Sequence, residues 1–211
     1  MKRPGVLEVI CGSMYSGKTE ELMRRIRRAL IAGQKVQVFK SHRDIRYSDD
    51  EIQSHTGLTI KAIRVPSSSS TELQRMIDDA ADVIAIDEIQ FFDEDVVSVC
   101  ENLAIAGKRV IVAGLTLDFR GEPFRGPMLA LLAKADKLDK LTAICVVCGE
   151  AATHTQRLVN ERPAKWDEPI IVIGGPDIYR AVCRQCHQIE KPPPSERHTT
   201  YEAIEDKLEN G

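Results

Sequence analysis

The segment Gly12–Thr19, with the sequence GSMYSGKT, constrains the fold of this chain more than any other feature. A phosphate-binding loop framed by glycines must follow a strand and open a helix. The apolar run Val6–Cys11 predicts the strand, and Glu20–Ala32 carries apolar residues at helical spacing. Because both flanks agree with the motif, the sequence predicts a nucleoside triphosphate site. The alternative is a chance match in a turn.

The residues of this loop have separable roles. The glycines let backbone N–H groups surround the phosphates, Lys18 can neutralise the β and γ oxygens, and the Thr19 hydroxyl suits magnesium. The predicted triphosphate-binding residues are Gly12, Ser13, Met14, Tyr15, Ser16, Gly17, Lys18 and Thr19.

Size and charge limit the remaining possibilities. A chain of 211 residues can hold one catalytic domain and a small appendage. Its net charge of −3 argues against general attraction to nucleic acid or acidic membranes, and we interpret Arg24, Arg25, Arg27 and Arg28 as the solvated face of the first helix. No apolar run approaches the roughly 20 residues of a membrane span, and the N-terminus leads into a core strand. We therefore expect a cytoplasmic protein.

Short runs rich in valine and isoleucine alternate with predicted helices. The runs are Lys35–Phe39, Val83–Ile86 and Val110–Ala113, and the helices are Thr71–Ala80, Glu94–Ala106 and Pro127–Ala135. This pattern predicts an α/β fold with a P-loop parallel sheet core and helices on both faces.

The chain divides into three parts. We predict a nucleotide-binding α/β domain over residues 1–142, left through a strand at Asp139–Cys145, and a small zinc-anchored domain, the lasso, over residues 143–189. The charged, proline-rich residues 190–211 predict a disordered tail or an arm that faces an oligomer partner. The polar stretch Ser41–Gly57 predicts a mobile working loop.

An acidic pair ends the strand predicted at Asp82–Ile86. Asp87 stands where a carboxylate linked to magnesium is needed beside a phosphate-binding loop. Glu88 can then accept the proton that an acceptor hydroxyl loses as it attacks the γ-phosphoryl group. A solvated charge at the strand end is the alternative for Glu88.

Two C-x-x-C pairs predict a metal site. Cys145, Cys148, Cys183 and Cys186 supply four thiolates, which suits a closed, tetrahedral and structural zinc site. His187 could replace Cys186 as the fourth ligand, although we favour the interpretation that His187 is an exposed neighbour of the site. We interpret Cys11 and Cys100 as small buried apolar residues.

Between the cysteine pairs lie Thr153–Arg157 and Ile171–Tyr179. In the second segment an apolar strand is predicted to end at Gly174 and Gly175, where a ligand can approach the backbone closely. Tyr179 adds an aromatic face with a polar tip. A short hairpin and its turn is the alternative interpretation.

Taken together, these segments resemble the zinc-containing thymidine kinases shared by bacteria, animals and poxviruses. The similar segments span Val6 to Cys186 in the order of that family. They are Gly12–Thr19, Lys40–Ser41 with Asp44–Tyr47, Asp87–Phe92, Phe119–Phe124, both cysteine pairs, and Val172–Gly175 with Asp177 and Tyr179.

This resemblance implies an activity and a set of ligands. ATP would donate its γ-phosphoryl group to the 5′-hydroxyl of deoxythymidine, making dTMP for nucleotide salvage, with Glu88 as the general base. Lys18, Thr19, Asp87, Gln90 and magnesium would hold ATP, and the lasso would close over the nucleoside. The implied nucleoside-binding residues are Met14, Arg46, Leu115, Phe119, Arg120, Phe124, Thr155, Ile170, Val172, Ile173, Gly174, Gly175 and Tyr179.

The resemblance also implies a homotetramer inhibited by thymidine triphosphate. Two departures from the family concern the acceptor pocket. Thr116 and Leu117 stand where an acidic residue is expected, and Arg125 interrupts the usual Pro-Phe-Gly run. These positions bear on the choice between deoxythymidine and deoxyuridine, and they leave the phosphate chemistry unaffected.

Two other classes of function compete with this interpretation. Asp87–Gln90 also resembles the acidic motif of helicases, so a nucleic-acid-stimulated ATPase is one alternative. Its weakness is that helicases close two cores around ATP, and this slightly acidic chain has room for one. A nucleotide sensor without turnover is the other alternative, and Glu88 beside Asp87 argues against it.

Overall fold

The computed structural model describes residues 5–43, 51–53 and 59–190, and a six-stranded sheet forms its centre. The sheet has the order β5-β2-β6-β7-β1-β8, and every pairing in it is parallel. The carboxyl ends of β1 and β6 therefore lie at one edge of the sheet. In chain order the strands are β1 (Val6–Gly12), β2 (Val36–Ser41), β3 (Glu51–Gln53), β4 (Thr59–Lys61), β5 (Ile63–Val65), β6 (Val83–Asp87), β7 (Arg109–Leu115), β8 (Lys137–Leu141), β9 (Ala143–Ile144), β10 (Ala151–Ala152), β11 (His154–Val159), β12 (Arg162–Pro163) and β13 (Tyr179–Val182).

Helices cover both faces of this sheet, as the sequence predicts. The helices are α1 (Lys18–Ile31), α2 (Ser70–Met76), α3 (Val96–Ile105) and α4 (Met128–Lys134). Alternate residues of β1 serve opposite faces, since Val9 packs with α2, α3 and α4 while Ile10 packs with α1. Strands buried on both faces read as continuous apolar runs, which is why β6 and β7 are recognisable in the sequence.

Two predicted elements differ from the structure by more than two residues. Helix α2 ends at Met76 instead of Ala80, because Ile77 is extended and the Asp78 N–H donates to Gln37 Oε1 at 2.7 Å. The strand predicted at Asp139–Cys145 is split into β8 and β9. β8 stays beside β1, and β9 pairs with β10 in a separate hairpin.

The interpretation of the basic cluster as a solvated face is wrong for one residue. Arg24, Arg27 and Arg28 are exposed, but Arg25 is buried. Its guanidinium donates to Glu8 at 2.8 Å, Glu21 at 2.7 Å and Asp139 at 2.6 Å. Neutralisation by three carboxylates allows this cation to lie beneath the sheet.

The chain from β9 onward forms a smaller layer. β11 pairs with β12 on one side and with β13 on the other, and both pairings are antiparallel. Its small core contains Ala152, Ala181 and Val182 together with Cys145 and Cys183. Arg46 and the residues of the predicted tail after Glu190 lie outside the described residues, as do residues 44–50 and 54–58 of the predicted working loop. In the described part of the chain, no helix has the length and apolar character needed to cross a membrane.

Candidate functional site

The predicted phosphate-binding loop joins the end of β1 to the start of α1. Lys18 is buried, and its Nζ donates to the Ser13 carbonyl at 2.7 Å across the loop. Ser16 Oγ donates to the same carbonyl at 2.9 Å. Gly12 has a φ of 153°, and a Cβ there would lie 2.5 Å from the Leu141 carbonyl oxygen. Only glycine fits this approach, and the resulting loop places backbone N–H groups at the N-terminus of α1, where an anion binds favourably.

The first acidic residue of the predicted pair contacts the loop. Asp87 ends β6 and is buried. The Thr19 hydroxyl donates to Asp87 Oδ2 at 3.0 Å, and the Glu88 N–H donates to Asp87 Oδ1 at 2.9 Å. A hydroxyl and a carboxylate at this separation are the hard oxygen ligands that Mg²⁺ prefers, so the pair fits that ion.

The second acidic residue stands at a sharp turn of the backbone. Glu88 has a φ of 51°, in the left-handed region that a residue with a Cβ seldom adopts. Its side chain is buried and accepts a hydrogen bond from Gln90 Nε2 at 2.5 Å. Gln90 Oε1 in turn accepts the Leu115 N–H at 3.0 Å. The structure therefore connects Glu88 to the end of β7 through Gln90.

One pocket brings the phosphate loop, Glu88 and an apolar chamber together. Ten of the thirteen predicted nucleoside-binding residues line it. They are Met14, Leu115, Phe119, Phe124, Thr155, Ile170, Val172, Ile173, Gly174 and Tyr179. Tyr15, Gly17, Lys18 and Thr19 line it on the phosphate side, and Glu88 is also part of its wall. The pocket therefore places a carboxylate and a cationic loop next to a chamber lined by aromatic and aliphatic groups.

Several predicted residues lie elsewhere. Arg120 donates from Nε and Nη2 to the same oxygen, Asp118 Oδ2, at 2.9 and 2.8 Å, and its guanidinium lies 5.0 Å from the Trp166 ring centre. Gly175 lies beside the pocket, where its N–H donates to Asp177 Oδ1 at 3.1 Å. Five residues of the predicted triphosphate-binding set do not line the pocket: Gly12, Ser13, Ser16, Asp87 and Gln90.

Sequence reasoning missed part of the wall. Glu20, Arg43, Phe91, Leu117, Asp118 and Ile171 line the pocket without having been predicted. Asp118 supplies an acidic side chain to the pocket two residues beyond Thr116, so the carboxylate expected soon after Leu115 is present at a later position. Arg125 is exposed, and it leaves the neighbouring Phe124 buried in the pocket.

The segment from Ile170 to Gly174 reaches the pocket without regular structure. The apolar strand predicted there is wrong, since residues 171–175 pair with no strand among the described residues. Ile171, Val172 and Ile173 keep 38–44% of their surface exposed. The Tyr179 hydroxyl donates to the Val172 carbonyl at 2.6 Å, and burial raises the pKa of Tyr179. A different contact joins the smaller layer to the phosphate-binding loop, because the Met14 N–H donates to Thr155 Oγ1 at 3.1 Å.

The four predicted metal ligands converge. The Sγ atoms of Cys145, Cys148, Cys183 and Cys186 all lie within 4.8 Å of one another. Zinc–sulfur bonds of about 2.3 Å in a tetrahedron require sulfur–sulfur distances of about 3.8 Å, so the cluster fits Zn²⁺. Burial opposes ionisation of Cys145, but the backbone N–H groups of Cys183, Cys148 and Val147 outweigh it and lower the pKa of this thiol to about 6.

His187 is not a member of the cluster. Its Nε2 donates to the Phe119 carbonyl at 2.9 Å, and its ring lies 5.0 Å from that of His154. The turn that carries Cys183 and Cys186 thus leads directly to a residue that holds Phe119 in the pocket wall. A metal at the cysteines would stabilise this wall without touching a ligand in the pocket.

Known proteins provide an independent comparison. A family model described as thymidine kinase matches residues 5–187. Among solved structures, the chain is similar to domain III of the Thermotoga maritima replication initiation protein DnaA, with 15% identity, a TM-score of 0.41, and coverage of 64% of this chain and 55% of that chain. It is also similar to the Legionella pneumophila ATPase DotB, with 19% identity, a TM-score of 0.39, and coverage of 63% and 34%. The chain thus spans about a third to just over half of the length of these two structures, and such distant likenesses carry no argument about function.

Proposed function

Because the chain belongs to the thymidine kinase family, we propose that it transfers the γ-phosphoryl group of ATP to the 5′-hydroxyl of deoxythymidine, with Glu88 as the general base. One observation carries this proposal. Glu88 lines the same pocket as Lys18 and Thr19 on one side and Phe119, Phe124 and Tyr179 on the other. A base between a phosphate loop and an apolar chamber is the arrangement that nucleoside phosphorylation requires.

The proposed reaction transfers one phosphoryl group from ATP to the nucleoside. The 5′-hydroxyl gives its proton to the Glu88 carboxylate, and its oxygen forms a bond to the γ-phosphorus of ATP. The bond from that phosphorus to the β,γ-bridging oxygen breaks, and its electron pair leaves with ADP. Lys18 and the loop N–H groups stabilise the charge on the phosphate oxygens. Thr19 and Asp87 would hold magnesium, which neutralises charge on the β and γ oxygens when bound.

The chamber is suited to a thymine base. Phe119, Phe124 and Tyr179 offer aromatic faces, while Val172 and Ile173, which pair with no strand among the described residues, have backbone N–H and C=O groups for the base edge. Fixed backbone groups reject a base with the wrong donor pattern, because a buried polar group would lose its partner. Deoxyuridine lacks only the 5-methyl group, so it is the second acceptor that we expect.

The remaining expectations belong to the same proposal. The cysteine cluster would bind a structural zinc ion that anchors the lasso, and the lasso would exclude water from the γ-phosphoryl group. A homotetramer, inhibition by thymidine triphosphate and a salvage role in the cytoplasm follow from the family resemblance alone.

Transfer of labelled γ-phosphate from ATP to a panel of nucleosides tests this function. We expect the wild-type protein to label deoxythymidine, and Glu88→Gln to lose about 10²–10⁴-fold in kcat, the usual contribution of a general base, while still binding ATP. Glu94→Gln is the matched control, because Glu94 is exposed at the start of α3. Stimulation of ATP hydrolysis by single-stranded DNA or RNA, with no labelled nucleoside, would instead favour a nucleic-acid-dependent ATPase.

A further inference from the structure

The buried amide of Gln90 has two partners that belong to different parts of the pocket. Gln90 lies in the 3₁₀ turn Ile89–Phe91 and is only 2% exposed. Its Nε2 donates to Glu88 Oε2 at 2.5 Å, and its Oε1 accepts the Leu115 N–H at 3.0 Å. The amide thus spans from the carboxylate of Glu88 to the backbone at the end of β7.

These partners determine which way the amide points. A backbone N–H can only donate, so the amide atom facing Leu115 must be the oxygen. A carboxylate accepts, so the atom facing Glu88 is the nitrogen. Rotating the amide by half a turn would oppose two donors at one end and two acceptors at the other. The Leu115 N–H therefore holds Gln90 in the orientation that serves Glu88.

The strand beneath the amide leaves space for it. Gly114 precedes Leu115, and a Cβ at this position would lie 2.6 Å from Gln90 Oε1, 2.8 Å from Ile89 Cγ2 and 2.9 Å from Met128 Sδ. Three such contacts could not be relieved by moving a single flexible end. The amide of Gln90 therefore occupies space that a side chain at position 114 would fill.

Glu88 depends on a neighbour for its direction. Its backbone is in the left-handed region, and it lies between the end of β6 and the 3₁₀ turn Ile89–Phe91. A bond from Gln90 to Oε2 fixes the plane of the carboxylate, which in turn fixes where its other oxygen points. A general base must be aligned with the proton that it removes, and small misplacements cost large factors in rate.

The geometry points to Gln90 as the positioning residue that orients the Glu88 carboxylate toward the acceptor hydroxyl, and this role rests on the proposed kinase function. Gln90 is 2% exposed and both ends of its amide have a partner within the protein, so we assign its effect to Glu88 and not to a direct nucleotide contact. This differs from the ATP-binding role that the family resemblance implies for the same residue. The two roles predict different kinetic effects, since a lost ATP contact raises the KM for ATP and a misdirected base lowers kcat.

Gln90→Met removes both hydrogen bonds and keeps the length of the side chain. We expect kcat to fall about 10- to 100-fold, part of the contribution of the base itself, with the KM for ATP within about twofold of the wild type.

Gln90→Glu provides a second test if Gln90→Met fails to fold. It keeps an oxygen for the Leu115 N–H but places a second carboxyl against Glu88. The acceptor for the Leu115 N–H is kept while the donor to Glu88 is lost, so kcat should again fall with the KM for ATP unchanged. If Gln90 served only to hold the turn against Leu115, this variant would keep the wild-type kcat.

The matched control is Gln37→Met. Gln37 also bridges two backbone groups, donating to the Met76 carbonyl at 3.2 Å and accepting the Asp78 N–H at 2.7 Å, but it lies on β2 outside the pocket. This variant should keep the wild-type kcat and pH profile.

Both Gln90 variants, the control and the wild type are assayed with ATP and deoxythymidine from acid to alkaline pH. A wild-type kcat in either Gln90 variant overturns the positioning role and leaves the kinase function intact. An unchanged kcat with a raised KM for ATP overturns it in favour of an ATP contact. A wild-type protein that labels no nucleoside overturns the proposed function and this role with it.

Discussion

Arg157 lies behind the aromatic wall of the pocket, and replacing it with methionine should separate stability from substrate binding. The side chain is 1% exposed on β11, and its guanidinium carbon lies 3.7 Å from the Phe119 ring centre. Nη1 donates to the Pro169 carbonyl, directly before Ile170. Its Nε and Nη2 are buried and lack a hydrogen-bond partner within the described residues.

These contacts nearly cancel in the folding free energy. Arg157→Met loses a cation–π contact of about 0.5–2 kcal/mol and a charged hydrogen bond of about 1.5–3 kcal/mol. It also relieves two unpartnered buried donors, each costing about 1–3 kcal/mol. The losses sum to about 2–5 kcal/mol and the gains to about 2–6 kcal/mol, so we expect any destabilisation to stay below about 3 kcal/mol.

Substrate binding should change more. Without Arg157 the Phe119 ring loses the guanidinium that packs against its face. The Pro169 carbonyl also loses its hydrogen bond to β11. If about 1.4 kcal/mol of preorganisation is lost, the KM for deoxythymidine rises about tenfold. Urea unfolding and steady-state kinetics measure the two effects, with Arg162→Met, an exposed arginine on neighbouring β12, as the control. Destabilisation above about 3 kcal/mol, or an unchanged KM, would contradict this role of Arg157.

Three further predictions concern the metals and the acid limit of stability. Cys148→Ser removes a ligand from the exposed corner of the cysteine cluster, so bound zinc measured by mass spectrometry should fall from about one per chain and the KM for deoxythymidine should rise; full zinc content would contradict the four-sulfur site. Thr19→Val removes the hydroxyl 3.0 Å from Asp87, so the magnesium needed for half-maximal activity should rise about tenfold or more, and an unchanged requirement would exclude Thr19 as a ligand. Hydrogen bonds from Arg24, and then from Arg25, outweigh burial and lower the pKa of Glu21 to about 2. The contribution of Glu21 to stability is therefore present above its unfolded pKa near 4.5 and is lost as pH falls toward 2. Because the pair with Arg24 is largely exposed, Glu21→Gln should cost at most about 1 kcal/mol at pH 7 in urea unfolding, and this difference should shrink below pH 4.5; a difference that grows toward low pH would contradict the assignment.

The parts of the site that the sequence predicts well are those encoded by neighbouring residues. The loop before α1 and the acidic pair after β6 each combine a short motif with an apolar strand. Parallel strands bring such ends to one edge, so the contact between Thr19 and Asp87 follows from two local patterns and one rule of topology. The cysteine cluster is predictable for a similar reason, because four thiols in two tight turns have few other uses.

The parts that escaped prediction depend on which elements become neighbours. Arg25 looks solvated in the sequence because its partners Glu8 and Asp139 lie 17 and 114 residues away. The bridge from Gln90 to Leu115 exists only because β6 and β7 are adjacent. Residues 171–173 have the composition of a strand, yet they pair with no strand among the described residues and line the pocket instead. Composition alone does not distinguish these two outcomes.

The most direct test of the account is the identity and amount of product formed from ATP and deoxythymidine by the wild-type protein with magnesium. Phosphorus NMR, supported by mass spectrometry, identifies each phosphorylated species. The account predicts ADP and deoxythymidine 5′-monophosphate in equal amounts, with negligible inorganic phosphate. ADP and inorganic phosphate without the nucleoside monophosphate would contradict it, because the pocket at Glu88 would then admit water and not a nucleoside.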